Sequence, residues 1–220
     1  MSISSEIQRL QQELPATTRL VAVSKFHPVE AIQEAYTAGQ RIFGESRVQE
    51  LCEKQPLLPQ DIEWHFIGHL QTNKIKQIVP FVSLIHGVDS TKLLKDINKE
   101  GEKIGRVIPC LLQIFVAQEE TKFGLSPEEC LALVSGGILE TLHFVEICGL
   151  MGMASLTNDQ AQIRTEFRQL KALFDELQTT LNSPAFKELS MGMSDDYPLA
   201  VECGSTMVRI GSRIFGQREY

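Results

Sequence analysis

The chain has 220 residues, 43% hydrophobic and 22% charged, with a formal charge of −7. That is enough apolar material for a large core in one or two domains and leaves no compositional sign of disorder. The acidic balance argues against a nucleic-acid or anionic-membrane surface, both of which need a basic footprint, and directs attention to small-molecule partners.

Ile3, Ile7, Leu10 and Leu14 recur at helical spacing until Pro15, which predicts an opening amphipathic helix. This N-terminus has no basic start or apolar run of a signal peptide, and no stretch approaches the ~20 apolar residues of a bilayer span, so a cytosolic protein is expected. Leu20, Val21, Ala22 and Val23 then form a short, partly β-branched run closed off by Pro28, which reads as a buried strand with Lys25 at its C-terminal end. Pro28 suits a helix start, Ile32, Ala35 and Tyr36 face inward, and Gly39 ends the pattern. A strand over 41–44, a helix over 48–53, a strand over 62–68 and a helix over 72–79 follow, the last stopped by Pro80.

The alternation repeats. Residues 81–88 read as a strand, Asp89-Ser90 opens a helix carrying Leu93, Leu94, Ile97 and Ile104, and 107–116 is the next strand. Ser126-Pro127-Glu128-Glu129 combines an N-cap serine, a proline at the first helical position and a capping-box glutamate. After Gly136-Gly137 come a strand over 142–151 and a long helix over 159–181. Its stripe of Ile163, Phe167, Leu170, Phe174, Leu177 and Leu181 fits a helix packed on a sheet better than a coiled-coil seam. A strand over 188–191, a helix over 195–202, a strand over 206–210 and a short terminal helix complete the chain. Strand–helix alternation over this length, without a linker, favours one (β/α)8 barrel spanning 1–220 with an extra N-terminal helix; an open doubly wound sheet is the alternative.

Dispersed Cys52, Cys110, Cys130, Cys148 and Cys203 form no CxxC pair and read as reduced thiols. His65 and His69 have the spacing of a helical metal pair, but Phe66 stands where that motif needs glutamate, so no metal site is expected.

In such a barrel the site lies at the C-terminal strand ends. Lys25 ends the first strand, Gly44-Glu45-Ser46 the second, and His65 with Ile67-Gly68 the third; Lys122 lies in the loop after the fifth. The MGMS and RIGS segments after the seventh and eighth supply glycines for close backbone approach, with Ser194 as an N-cap hydroxyl and Ser212 as a second hydroxyl, a phosphate-site chemistry. Asp195 and Asp196 oppose that reading unless they turn outward. A lysine beside a phosphate cradle suits a phosphorylated aldehyde held as a Schiff base, of which pyridoxal 5′-phosphate (PLP) is the common one. Arg209 then falls near the ring nitrogen, where a guanidinium, unable to accept a proton, leaves a weaker electron sink.

On LVAVSKFHP, AGQRIFGESRVQE, WHFIGHLQTNK, LSMGMSDD and GSTMVRIGSRIFG, the chain resembles the pyridoxal phosphate homeostasis protein family, itself similar to the N-terminal barrel of alanine racemase. The resemblance implies a fold-type III barrel with PLP on Lys25, phosphate around Ser194, Gly211 and Ser212, and the ring nitrogen near Arg209. Ile67 and Thr206 join the pocket as further contacts. Ser46 stands where the family usually has asparagine, His69 where it often has proline, and Ser212 where threonine is frequent. The implied function is intracellular PLP and amino-acid homeostasis without catalysis, by a monomer, with PLP-dependent apoenzymes as recipients. The alternatives are a racemase-like PLP enzyme and a purely structural barrel. Racemisation needs a second acid–base group; in alanine racemase it comes from another domain, whereas this chain stops at Tyr220, just after the barrel.

Overall fold

Strands and helices alternate in a computed structural model that describes residues 2–117 and 123–216. The strands are β1 (Arg19–Val23), β2 (Ile42–Glu45), β3 (Glu63–Phe66), β4 (Leu84–Val88), β5 (Ile108–Phe115), β6 (Val145–Met153), β7 (Glu188–Ser190) and β8 (Met207–Ile210). Each pairs in parallel with the next, and β1 pairs with β8 through Val21↔Arg209 and Ala22↔Ile210. The sheet is therefore a closed barrel in sequence order, which sets aside the open doubly wound alternative.

The helices are α1 (Ile3–Glu13), α2 (Val29–Thr37), α3 (Val48–Lys54), α4 (Ile75–Ile78), α5 (Thr91–Ile104), α6 (Pro127–Ser135), α7 (Gln160–Leu181), α8 (Tyr197–Glu202) and α9 (Ser212–Phe215). The capping box at Ser126 and Glu129 forms as the sequence predicts. Asp159 caps α7 by accepting from Ala161 and Gln162 amides. β4 begins later than its apolar run because the amides of Phe81 and Val82 bond back to the Ile78 carbonyl, which turns that stretch out of the ladder. β6 begins at Val145, since Leu142 still bonds to Leu139 in a short 3₁₀ turn.

The main core lies between barrel and helices. Phe43, Trp64 and Phe66 meet Ile7, Leu10 and Leu51 there, and Ile163, Phe167, Leu170, Phe174 and Leu177 of α7 are buried in the same cluster. The α7 stripe is thus covered by this chain's own barrel. Burial of a phenylalanine such as Phe167 contributes about 3–5 kcal/mol when judged by truncation to alanine.

Inside the barrel the apolar filling is small: Val21, Leu84, Leu111, Met151 and Met207. The other buried inward-parity positions include His65, His86, Gln113, Ser190 and Arg209. Buried groups of that kind require partners, and they mark the interior as a place with chemistry.

Candidate functional site

Lys25 follows Val21 and Val23 at the same two-residue parity, one step beyond the buried Ser24 at the C-terminal mouth of β1. Its backbone is held from behind by a buried ion cluster. The Lys54 ammonium donates to the Ser24 carbonyl at 2.9 Å, to Glu45 Oε1 at 2.8 Å and to Glu50 Oε1 at 2.6 Å. Glu45 is fully buried, also accepts from Ser24 Oγ at 2.7 Å, and leaves Oε2 without a partner. Burial, partly offset by Lys54, pushes its carboxyl above the usual carboxylate range. Glu50 Oε1 also takes the Phe26 amide at 2.5 Å, and Phe26 adopts a left-handed φ of 68°. A phenylalanine rarely sits there. The cluster therefore grips the peptide units on both sides of Lys25 and stabilises an unfavourable turn that ends the strand abruptly. Glu45 stands at a strand end already read as part of the site, whereas Glu50 and Lys54 were not singled out from the sequence, although they have the i, i+4 spacing of a helical pair.

Across the mouth, the loop after β7 turns at Gly192, whose φ is 95° and where a Cβ would lie 2.5 Å from Ala200 Cβ. Gly192 accepts the Arg209 amide at 2.9 Å, and Ser194 Oγ accepts the Gly211 amide at 3.4 Å, so the loops after β7 and β8 are tied to each other. Gly211 packs on β1: a Cβ there would sit 3.1 Å from the Val23 carbonyl oxygen. Ser212 opens α9, whose first turn no side chain caps. Ser194 is not the cap of α8, as the sequence suggests. The cap is Asp196, because the chain completes the Gly192 turn before the helix starts. Asp196 Oδ1 bends back onto the Met193 amide at 2.6 Å, and burial raises its pKa. Asp195 and Asp196 line a cavity of about 450 Å³ with Met153, Met193 and Leu199, whose lining does not include Gly211.

Arg209 lies beneath the mouth, only 5% exposed. Its Nη1 donates to Ser190 O at 2.8 Å and Ser190 Oγ at 2.7 Å, and Nη2 to the Gly152 carbonyl at 3.0 Å. Burial pulls the guanidinium down to about 10, so it stays charged at neutral pH. These bonds use three of the five guanidinium N–H groups. Ile67 borders the same space: a Cβ on Gly44 would lie 2.9 Å from Val21 Cγ1 and 3.3 Å from Ile67 Cδ1. Ser46 shares the inward parity of Gly44, and its backbone is closely packed on Gly68.

Thr206 is elsewhere. It precedes β8, accepts the Leu189 amide on Oγ1 at 2.7 Å and reaches Glu188 Oε2 at 3.3 Å. That is the N-terminal end of the barrel, three residues along the strand from Arg209 and opposite to Lys25. Lys122 lies outside the described residues. His65 and His69 diverge: His65 Nδ1 meets His86 Nε2 at 3.0 Å inside the barrel, while His69 Nδ1 meets Asp89 at 3.1 Å at the surface.

A family model described as the alanine racemase N-terminal domain matches residues 2–219. A Schizosaccharomyces pombe protein named pyridoxal phosphate homeostasis protein is 41% identical, with 98% of this chain and 90% of that one covered. The human protein of the same name is 43% identical over 99% of this chain and 83% of its own. PipY of Synechococcus elongatus, solved with PLP bound, superposes with a TM-score of 0.87 at 39% identity, covering 98% of this chain and all of that one. By family model, identity and shared barrel, the chain belongs to the alanine racemase N-terminal domain family, in the group of its relatives named pyridoxal phosphate homeostasis protein.

Proposed function

We propose that this chain is a non-catalytic, monomeric PLP carrier of the cytoplasm, holding the cofactor on Lys25 and releasing it to PLP-dependent apoenzymes. The observation that carries the reading is the convergence on one mouth of the Lys25 strand end, the Gly192–Ser194 and Gly211–Ser212 turns, and the buried Arg209 guanidinium. The space fits a flat, phosphorylated ring. Gly44 and Gly211 leave no room for a Cβ beside Val21 and Val23, and two N–H groups of Arg209 are not used by the bonds to Ser190 and Gly152.

PLP supplies an aldehyde that condenses reversibly with a primary amine, which is storage chemistry in itself. Lys25 provides the amine, held in place by the Glu45–Lys54–Glu50 cluster. Ser194, Gly211 and Ser212 bind the phosphate through hydroxyls and backbone amides. Ile67 and Ser46 border the ring, and Arg209 donates towards its nitrogen without giving up a proton. Thr206, at the other end of β8, takes no part.

The acid–base inventory of the described residues supports the carrier reading. The hydroxyls of Tyr36 and Tyr197 donate to Asp61 and Glu13, so among the described residues no tyrosine hydroxyl hydrogen is left to serve as a second proton donor. The α7 stripe, buried on the barrel, supports a monomer, and five unpaired thiols suit a reducing compartment.

Borohydride reduction of PLP-loaded protein followed by peptide mass spectrometry tests the site. A pyridoxyl adduct on Lys25, absent in Lys25→Ala, is expected, together with transfer of PLP to an apoenzyme. An adduct elsewhere, or turnover or Cα hydrogen exchange with an amino-acid panel, overturns the site or the carrier reading respectively.

A further inference from the structure

A continuous polar column runs down the barrel axis from Arg209. Arg209 Nη1 bonds Ser190 Oγ at 2.7 Å, Ser190 Oγ meets His86 Nδ1 at 3.0 Å, and His86 Nε2 meets His65 Nδ1 at 3.0 Å. Ser190 and His86 are fully buried and His65 is 1% exposed. At its lower end His65 lines a cavity of about 260 Å³ at the opposite barrel mouth, with Arg19, Glu63, Cys148 and Glu188. The column thus joins the two faces of the barrel through groups contributed by β3, β4, β7 and β8.

Its direction is set from the top. A guanidinium only donates, so Ser190 Oγ accepts from Arg209; its second lone pair could take an Nδ1–H of His86, but the buried Ser190 hydrogen would then have no acceptor, whereas donating to His86 Nδ1 uses it. His86 must then carry its hydrogen on Nε2 and give it to His65 Nδ1, which leaves His65 protonated on Nε2 as well. Burial keeps both rings neutral: His65 is lowered to about 3 and His86 well below the ordinary histidine value. Neutral rings have one donor and one acceptor each, so the reversed chain would also fill the three contacts, but only the downward arrangement gives the buried Ser190 hydrogen an acceptor among the bonds of the column.

We propose that Ser190, His86 and His65 are positioning residues that form a one-way hydrogen-bond column, in which Arg209 imposes the Nε2–H tautomer on both histidines and they in turn hold its guanidinium facing the mouth. This rests on the reading of that mouth as the PLP site for its consequence, though not for its geometry. Every hydrogen in the column points away from Arg209, so the barrel interior has no proton to deliver upward and the ring nitrogen meets only a donor that does not ionise. An inward Asp or Glu at position 86 or 190 would remove that property.

Two measurements separate the column from the site reading. In the protein without PLP, long-range ¹H–¹⁵N correlation spectra of histidine-labelled material report tautomers directly. Both buried histidines are expected as Nε2–H and neutral from pH 6 to 8, and Arg209→Leu is expected to give mixed tautomers at His86. An Nδ1–H tautomer at either ring, or a tautomer indifferent to Arg209→Leu in a folded variant, overturns the column even if PLP binds well. In PLP-loaded protein, His86→Leu should weaken PLP by up to about tenfold, the upper scale of one neutral hydrogen bond lost, and shift the pH midpoint of the bound chromophore. His86→Gln, which can accept from Ser190 and donate to His65, should restore both. Unchanged affinity and midpoint in a folded His86→Leu protein overturn the positioning role. Failure of wild-type protein to bind PLP at all, with the tautomers as expected, instead refutes the site reading alone.

Discussion

Lys54→Met removes the centre of the cluster behind Lys25 while keeping most of the side-chain volume. The ammonium is 6% exposed and satisfies Ser24 O, Glu45 Oε1 and Glu50 Oε1 together. Without it the fully buried Glu45 carboxylate has only the Ser24 hydroxyl, and breaking a buried pair from one side costs about 3–5 kcal/mol. In a chain of this length that lowers Tm by roughly 6–20 °C at about 2–4 °C per kcal/mol. Adding Glu45→Gln removes the stranded charge, and the double variant should recover at least about half of the loss. The pH dependence has a definite sign. Glu45 already has a raised pKa, and loss of Lys54 raises it further. The folded state of the single variant then binds a proton the unfolded chain releases, so its deficit is largest at neutral pH and shrinks as pH falls through the folded value towards the unfolded one, about 4.3. Urea denaturation of the wild type, both single variants and the double at pH 7.5 and 5 measures all of this. A loss below about 1 kcal/mol for Lys54→Met, or strict additivity in the double variant, would refute the reasoning.

Two further outcomes follow from the same geometry. His65, lowered to about 3, stays neutral in the folded state while the unfolded chain protonates it, so stability falls as pH drops below about 6.5. Its share of the slope approaches about 1.4 kcal/mol per pH unit, and His65→Gln should flatten the urea-derived profile between pH 6 and 4 by that amount; an unchanged slope argues against a buried neutral ring. Gly192→Ala places a methyl group 2.5 Å from Ala200 Cβ at a φ of 95°, which should cost about 1–3 kcal/mol in strain and loosen the loop bearing Ser194. Differential scanning calorimetry and PLP titration check it, and a variant with wild-type Tm and affinity would show that the turn relaxes freely.

Much of this molecule is legible from local sequence. The run Leu20–Val23, the Ser126 capping box and the α7 stripe each declare themselves within a few residues, because strand and helix periodicities and caps are short-range properties. The parity that brings Lys25, Ser46, Ile67 and Arg209 to inward positions is readable in the same way once strand ends are placed. Ser194 misleads for a local reason: Ser-Asp-Asp resembles a helix start, yet the Gly192 turn delays α8 and frees the serine for the Gly211 amide. Thr206 entered the pocket through the resemblance alone, although its place at the start of the 206–210 strand already puts it at the end opposite to Lys25, where the Leu189 amide and Glu188 hold it. Barrel closure could not be read locally, since it rests on β1 meeting β8 across nearly the whole chain. The interior column depends on it entirely: His65, His86, Ser190 and Arg209 appear in the sequence as isolated polar residues in apolar strands, 104 positions separating His86 from Ser190. Local sequence was enough for most of the elements, for Lys25 at a strand end and for the family. The tertiary structure alone decided which buried polar groups satisfy one another, because a hydrogen bond needs contact at about 3 Å and chain separation carries no information about that distance once the barrel closes.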